Sequence, residues 1–150
     1  MLRRLFCILA LAVLLAVPAV HSFAAEPPPG ALIPHLTTGD FLRRVGGSDL
    51  PVLVQFDASW CPYCRKMQPF LDKFRDAKKG SVEVYKVNYD ADPDLVRSYE
   101  VQTLPTLIVF YQGRIVGRSD GAMDEPELFE WMEAVQDDVR EMRRKKIDAL

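Results

Sequence analysis

The stretch VLVQFDASWCPYC, residues 52–64, decides the fold of this chain. It opens with the apolar run of residues 52–54, which is typical of a strand buried on both faces of a sheet. Pro62 suits the first position of a helix, and apolar residues recur at helical spacing as far as about residue 79, with Pro69 predicting a kink. The stretch therefore predicts a buried strand that leads into a helix with Cys61 at its N-cap.

The N-cap position predicts the chemistry of the two cysteines. A sulfur at the N-cap can accept hydrogen bonds from the N–H groups of Tyr63 and Cys64, while Pro62 has no N–H to leave unpaired. These donors and the positive end of the helix dipole should lower the pKa of the Cys61 thiol below its ordinary value of about 8.5. Cys64, one turn into the helix, is placed to resolve the mixed disulfide that Cys61 forms.

Other uses of the pair are less consistent with the sequence. Zinc needs four ligands, and His35 is the one further soft ligand outside the N-terminal segment. A structural disulfide across two residues adds little rigidity to a helix, and an inert reduced pair is unexpected in an oxidising compartment. Redox exchange is therefore favoured, with no metal and no bound cofactor, since the electrons travel in the cysteines themselves.

The N-terminus has the pattern of a secretory signal over residues 1–24. Arg3 and Arg4 precede an apolar stretch over residues 5–17, and small residues flank a cleavage point after Ala24. The alternative is an uncleaved membrane anchor, but the apolar stretch is shorter than the roughly 20 residues that cross a bilayer. The sequence thus predicts a periplasmic or secreted protein, with a membrane contact only if the signal stays attached.

The remaining composition predicts one globular domain over residues 36–150, after an extended, proline-rich lead-in over residues 25–35. The formal net charge of −2 does not indicate nucleic-acid binding, which typically requires a strongly basic surface. Hydrophobic periodicity predicts the order α-β-α-β-α-β-β-α, with a hairpin at Gln112-Gly113 and a long, polar C-terminal helix that starts near Asp124. This order implies an α/β fold, a central mixed sheet with helices on both faces. We expect the protein to be a monomer.

Several separated motifs resemble the thioredoxin family, from about Leu36 to Val135. They are Trp60 with the two cysteines, Pro69, Thr103-Leu104-Pro105, Gly113 and Gly121-Ala122. The resemblance implies the thioredoxin fold and a cis peptide bond between Leu104 and Pro105 that faces the cysteines. The backbone beside Leu104 would then pair with an extended segment of a partner protein. Without the family context, a trans proline at a strand edge is an equally good interpretation.

The resemblance also suggests roles for three further residues. Trp60 and Tyr63 would form an apolar contact surface around the reactive sulfur, although Trp60 could equally belong to the core. Lys86 matches a family lysine near a buried acid, and its alternative is a surface ion pair of little energetic consequence.

The chain departs from the family pattern in two places. Gln55 stands where thioredoxins carry a buried acid, and an amide cannot take a proton from Cys64. Asp57 shares a strand face with Gln55 and is our candidate for that role; the alternative is a solvated polar residue at a strand end. The second departure is the dipeptide Pro62-Tyr63, which resembles that of glutaredoxins.

These observations predict an extracytoplasmic thiol-disulfide oxidoreductase. Its partners would be protein thiols and disulfides, together with a redox partner that recycles the pair. Two alternatives stay open: a thioredoxin-like adaptor that binds without turnover, and a glutaredoxin-like, glutathione-dependent enzyme.

Overall fold

A computed structural model describes residues 32–149. The predicted signal peptide, its cleavage point after Ala24 and residues 25–31 of the lead-in lie outside this range. Within it, no helix is both long enough and apolar enough to cross a bilayer.

The element order agrees with the predicted α-β-α-β-α-β-β-α. The elements are α1 (Thr38–Gly47), β1 (Val52–Asp57), α2 (Pro62–Ala77), β2 (Glu83–Asn88), α3 (Pro93–Ser98), β3 (Thr106–Tyr111), β4 (Arg114–Asp120) and α4 (Glu125–Asp148). The predicted hairpin turn joins β3 to β4 through Gln112 and Gly113, both of which have positive φ. Left-handed backbone at these two positions is what a tight hairpin between twisted strands requires.

The four strands form one mixed sheet in the order β2-β1-β3-β4. β1 pairs with β2 in parallel and with β3 antiparallel, and β3 pairs antiparallel with β4. Every residue of β1 is buried, which explains why its sequence is an almost continuous apolar run. The mixed sheet with helices confirms the predicted α/β class.

The alternation of side chains along β1 divides the core into two layers. Leu53 packs in one layer with residues of α2 and α4, among them Met67 and Met132. Its neighbours Val52 and Val54 pack in the other layer, against α1 and α3. Because successive strand residues point to opposite faces, Gln55 and Asp57 lie on the same face as Leu53, the one that α2 covers.

The packed part of the domain begins earlier than the predicted boundary at residue 36. Ile33 is buried in the layer under α2, and His35 forms a parallel bridge with Lys86 of β2. The backbone N–H of Leu36 donates to the carbonyl of Lys86 at 2.7 Å, and that of Lys86 donates to the carbonyl of Pro34 at 3.0 Å. Residues 33–35 therefore belong to the edge of the sheet, because the unpaired edge of β2 offers them backbone partners.

The long C-terminal helix is capped at its start and bound to the domain near its end. At its start, the Asp124 side chain accepts from the N–H of Glu127 at 3.0 Å, and the Glu127 side chain accepts from the N–H of Asp124. Near its end, Arg143 donates to the carbonyl of Asp49 at 2.6 Å and to the hydroxyl of Tyr111 at 2.9 Å. The polar extension thus stays attached to the domain at least to Arg143.

Candidate active site

Cys61 occupies the N-cap of α2, as the sequence predicts. Its sulfur accepts a hydrogen bond from the backbone N–H of Cys64 at 3.1 Å, so Cys64 is the one of the two predicted donors that makes the bond. Pro62 takes the first helical position. The two cysteines are joined in a disulfide, with their Cα atoms 5.3 Å apart.

The sulfur pair belongs to a small, mostly apolar cluster of side chains. Cys61 and Cys64 are buried and pack with Ala58, and the partly buried side chains of Tyr89 and Leu104 lie against them. The peptide bond between Leu104 and Pro105 is cis. Leu104 thus packs against the cysteines from about forty residues further along the chain.

Residues at the end of β4 and just after it hold the loop that carries Pro105. The N–H of Gly121 donates to the carbonyl of Pro105 at 2.8 Å, and the hydroxyl of Thr106 donates to Asp120 at 2.9 Å. Arg118 also binds Asp120, and this hydrogen bond keeps the pKa of the Asp120 carboxyl below its ordinary value of 3.8. The loop that faces the cysteines is thus attached to two strands.

Two exposed aromatic side chains lie next to the cysteines in the sequence. Trp60 is 59% exposed and Tyr63 is 58% exposed, so the alternative that Trp60 belongs to the core is wrong. The indole N–H of Trp60 donates to Asp90 at 2.9 Å, and its ring makes an edge-to-face contact with Tyr89. The ammonium of Lys66 lies 5.6 Å from the centre of the Tyr63 ring. Both side chains still keep more than half of their area exposed beside the sulfur pair, where a partner protein can contact them.

Gln55 is completely buried beneath this surface. Its side-chain amide has no hydrogen-bond partner among the described residues, at either the nitrogen or the oxygen. A buried amide without partners is costly, by about 1–3 kcal/mol. In this disulfide-bonded form, Gln55 therefore takes no part in a polar network.

Asp57 and Lys86 form the polar part of the site. Their carboxylate and ammonium are 2.8 Å apart, and each side chain is close to nine-tenths buried. Lys86 also binds the side-chain oxygen of Gln68 on α2. On the other side of the carboxylate, His35 Nε2 lies 3.4 Å from the second oxygen of Asp57. The interpretation of Lys86 as part of a surface ion pair is therefore wrong, because β2 directs its side chain under α2.

Comparison with known proteins identifies the family. The thioredoxin family model matches residues 33–134, about two thirds of the chain. The chain belongs to the thioredoxin family. It is 34% identical over 98 residues to a thioredoxin from Rickettsia felis, an alignment that covers 65% of this chain and 93% of the relative. It is also 38% identical over 99 residues to a thioredoxin from Rhodospirillum rubrum, covering 66% and 95%. A thioredoxin-like protein from Synechocystis is 34% identical over 94 residues, covering 63% and 90%.

Membership of the thioredoxin family, together with the CxxC pair, makes the chain a thiol-disulfide oxidoreductase. The thioredoxin family in general implies protein thiols and disulfides as substrates and a reductase as partner. The structure of this thioredoxin-family chain places the predicted site residues in two groups. The sulfur pair, its flanking aromatic residues and the Pro105 loop form the surface; Gln55, Asp57 and Lys86 lie below it.

Three polar residues of this site are not identified from the sequence. Gln68 follows Cys64 by four positions, so helical spacing alone places the two on one face of α2. Asp90 follows β2 and binds Trp60. The sequence presents His35 only as a possible metal ligand, because a proline-rich segment does not indicate strand pairing. Contacts of this kind join distant segments and have no local sequence signal.

Proposed function

We propose that this thioredoxin-family enzyme exchanges disulfides with protein substrates outside the cytoplasm. Cys61 is the nucleophile and Cys64 the resolving thiol. The observation that carries the proposal is the position of Cys61 at the N-cap of α2, where its sulfur accepts the N–H of Cys64. Backbone donors and the helix dipole at this position favour a thiolate, the form that attacks a disulfide.

The reaction proceeds in two steps. The Cys61 thiolate attacks one sulfur of a substrate disulfide, forms a mixed disulfide and releases the first substrate thiolate. Cys64 then loses its proton and attacks the Cys61 sulfur, which closes the Cys61–Cys64 disulfide and releases the second substrate thiolate. Two electrons pass from the enzyme to the substrate, and each released thiolate takes a proton from solvent.

We propose Asp57 as the acceptor of the Cys64 proton, since Gln55 cannot take it. Gln68 lies one helical turn after Cys64 on α2 and binds Lys86, and Lys86 is paired with Asp57. This chain of contacts supports a place for the Asp57 carboxylate beneath the helix that carries the resolving thiol. A positioned carboxylate contributes about 10²-fold or more to a proton transfer, so Asp57→Asn should slow the second step by that factor.

The extracytoplasmic location is supported by the sequence of residues 1–24, with cleavage after Ala24. N-terminal sequencing of the protein recovered from its native cells tests it, and we expect the mature chain to begin at Ala25. A chain that still begins with residues of the apolar stretch, or that is recovered from the cytoplasm, would disprove the export proposal.

Trapping of the intermediate tests the two-step mechanism. The full chain carrying Cys7→Ser and Cys64→Ser should accumulate a mixed disulfide at Cys61 when mixed with a protein that has one accessible disulfide. The matched variant with Cys7→Ser and Cys61→Ser should not accumulate it, because Cys64 lies inside the first turn of α2 and lacks the N-cap position at which backbone donors favour the thiolate. Absence of a trapped species in both variants would favour the adaptor. A trapped adduct with glutathione but not with protein would favour the glutaredoxin-like alternative.

A further inference from the structure

His35 reaches the site from outside the catalytic helix. It lies on the short segment of residues 33–36, which pairs with the edge of β2 through backbone hydrogen bonds on both sides of Lys86. This pairing fixes the position of the His35 backbone opposite Lys86. Since Ile33 and Leu36 are buried on either side, the segment is anchored by packing as well as by hydrogen bonds.

The histidine connects a nearly buried carboxylate to solvent. The His35 side chain is 51% exposed, whereas those of Asp57 and Lys86 are 12% and 10% exposed. The two oxygens of Asp57 have different partners: Lys86 binds one at 2.8 Å, and His35 Nε2 lies 3.4 Å from the other. The imidazole thus stands between the carboxylate and bulk water.

Because of the charges around Asp57, a proton that reaches its carboxylate must pass on to another group. Lys86 faces Asp57 from β2 and His35 faces it from the segment before α1, while α2 contributes the neutral amide of Gln68. The nitrogen of that amide donates to Asp72 at 3.0 Å, which directs its oxygen to Lys86. A protonated Asp57 would leave the nearly buried Lys86 ammonium without its counter-charge, a costly state.

We propose that His35 relays the Cys64 proton from Asp57 to solvent during resolution of the mixed disulfide. The inference rests on the proposed role of Asp57 as the first acceptor. The proton leaves the Cys64 thiol for the Asp57 carboxylate and passes to Nε2 of neutral His35, which faces Asp57 and accepts when the proton of the neutral ring is on Nδ1. The exposed imidazolium then releases one proton to water. Asp57 and His35 end with the charges they began with, and the electron pair of Cys64 forms the new bond to Cys61.

The relay makes the second step depend on the charge of the imidazole. Only neutral histidine can accept a proton, and histidine is the side chain that ordinarily changes charge between pH 5 and 8. Resolution of the mixed disulfide should therefore gain rate as the pH rises through this range. Attack by Cys61 does not use the relay and should lack this component.

Stopped-flow reaction with Ellman's reagent separates the two steps. The reduced full chain carrying Cys7→Ser should release one chromophoric thiolate in a phase that depends on reagent concentration, as Cys61 attacks. It should release a second in a phase that does not, as Cys64 resolves the mixed disulfide. The second phase is recorded from pH 5 to 8 for the parent, His35→Gln, His35→Lys and Asp57→Asn. Asp94→Asn, which alters an exposed carboxylate paired with Arg97, is the control.

We expect His35→Gln to lose the pH-dependent rise of the second phase and His35→Lys to stay slow throughout, with the first phase unchanged in both. A purely structural role would alter stability and leave the shape of the pH profile intact. Slowing by Asp57→Asn with an unaltered profile in His35→Gln would overturn the relay and keep Asp57 as acceptor. No slowing by Asp57→Asn would overturn both. Lack of a second phase in the parent would disprove the two-step mechanism itself.

Discussion

The indole N–H of Trp60 donates a hydrogen bond to Asp90 Oδ2 at 2.9 Å, although both side chains lie at the surface. Trp60 comes immediately before the nucleophile Cys61, and Asp90 follows β2. The bond therefore joins the residues before α2 to the loop after β2. An exposed tryptophan that is held in one orientation offers contact area at a small cost in entropy on binding. We infer that Asp90 orients Trp60 for partner proteins.

Loss of this acceptor should therefore weaken reaction with proteins and leave small disulfides unaffected. In Asp90→Ala, kcat/KM for a protein disulfide should fall about two- to tenfold, the equivalent of one hydrogen bond of about 0.5–1.5 kcal/mol. Asp90→Asn keeps an acceptor oxygen and should react almost normally. The first phase with Ellman's reagent should be unchanged in both variants. An equal loss with protein and reagent would contradict a role in recognition.

The unpartnered amide of Gln55 gives a prediction about stability. Gln55→Met replaces a buried amide that lacks partners with an apolar side chain of similar size. The free energy of unfolding should rise by about 1 kcal/mol, measured by chemical denaturation of the oxidised protein. The second phase with Ellman's reagent should be unchanged, since Asp57 and not Gln55 accepts the proton. A loss of stability would show that the amide has a partner.

Close packing between β4 and α4 gives a second prediction about stability. A Cβ atom at Gly117 would lie 2.8 Å from Cγ2 of Val135 and 3.4 Å from the ring of Trp131. Valine is stiff and cannot turn aside, so Gly117→Ala should lower the free energy of unfolding by about 1–3 kcal/mol.

Two further variants test the origin of that loss. The double variant with Val135→Ala should be less destabilised than the sum of the two single changes, because the clash is removed. Gly46→Ala places a Cβ where no atom lies within 4 Å, inside a helix, and should stabilise by about 0.5–1 kcal/mol. Additive losses in the double variant would contradict the clash.

The hydrogen bond from Arg118 to Asp120 predicts part of the acid unfolding profile. Because the folded-state pKa of Asp120 lies below 3.8, the unfolded chain binds its proton first as the pH falls. The stabilisation is complete well above pH 3.8 and is lost as the pH falls through 3.8 towards the lower pKa of the folded state. Asp120→Asn should therefore unfold less steeply than the parent between about pH 5 and about pH 2. Glu130→Gln, at a site outside this network, is the control, and an identical slope in the parent and Asp120→Asn would contradict the prediction.

The sequence predicts those parts of the molecule that depend on local pattern. The apolar run of β1 and the cap at Cys61 follow from residue types at fixed spacing, and so does the Gln112-Gly113 turn. The polar group below the surface, formed by Asp57 and Lys86, could be predicted only in part. Asp57 is indicated by strand periodicity, but the burial of Lys86 depends on its contacts with another strand and helix.

His35 is the site residue whose position has the weakest signal in the sequence. Four prolines and a glycine precede it within eight residues, and this composition favours an extended lead-in outside the core. Its pairing with Lys86 depends on the open edge of β2, which becomes evident only once the strand order is known. Side-chain contacts between segments remote in sequence are decided by tertiary packing, for which a single sequence has no periodic signal.

Arg143, near the end of α4, contacts Asp49, which precedes β1, whereas Cys61 follows the opposite end of that strand. An immobilisation tag fused after α4 would therefore orient the protein on a sensor chip with its reactive sulfurs facing the bulk solution. The same tag fused just before Ile33 would leave the dithiol equally open, because the segment of residues 33–36 runs parallel to β2 and starts at the end of the sheet remote from the cysteines. Either coupling end thus leaves the dithiol accessible to large and small analytes.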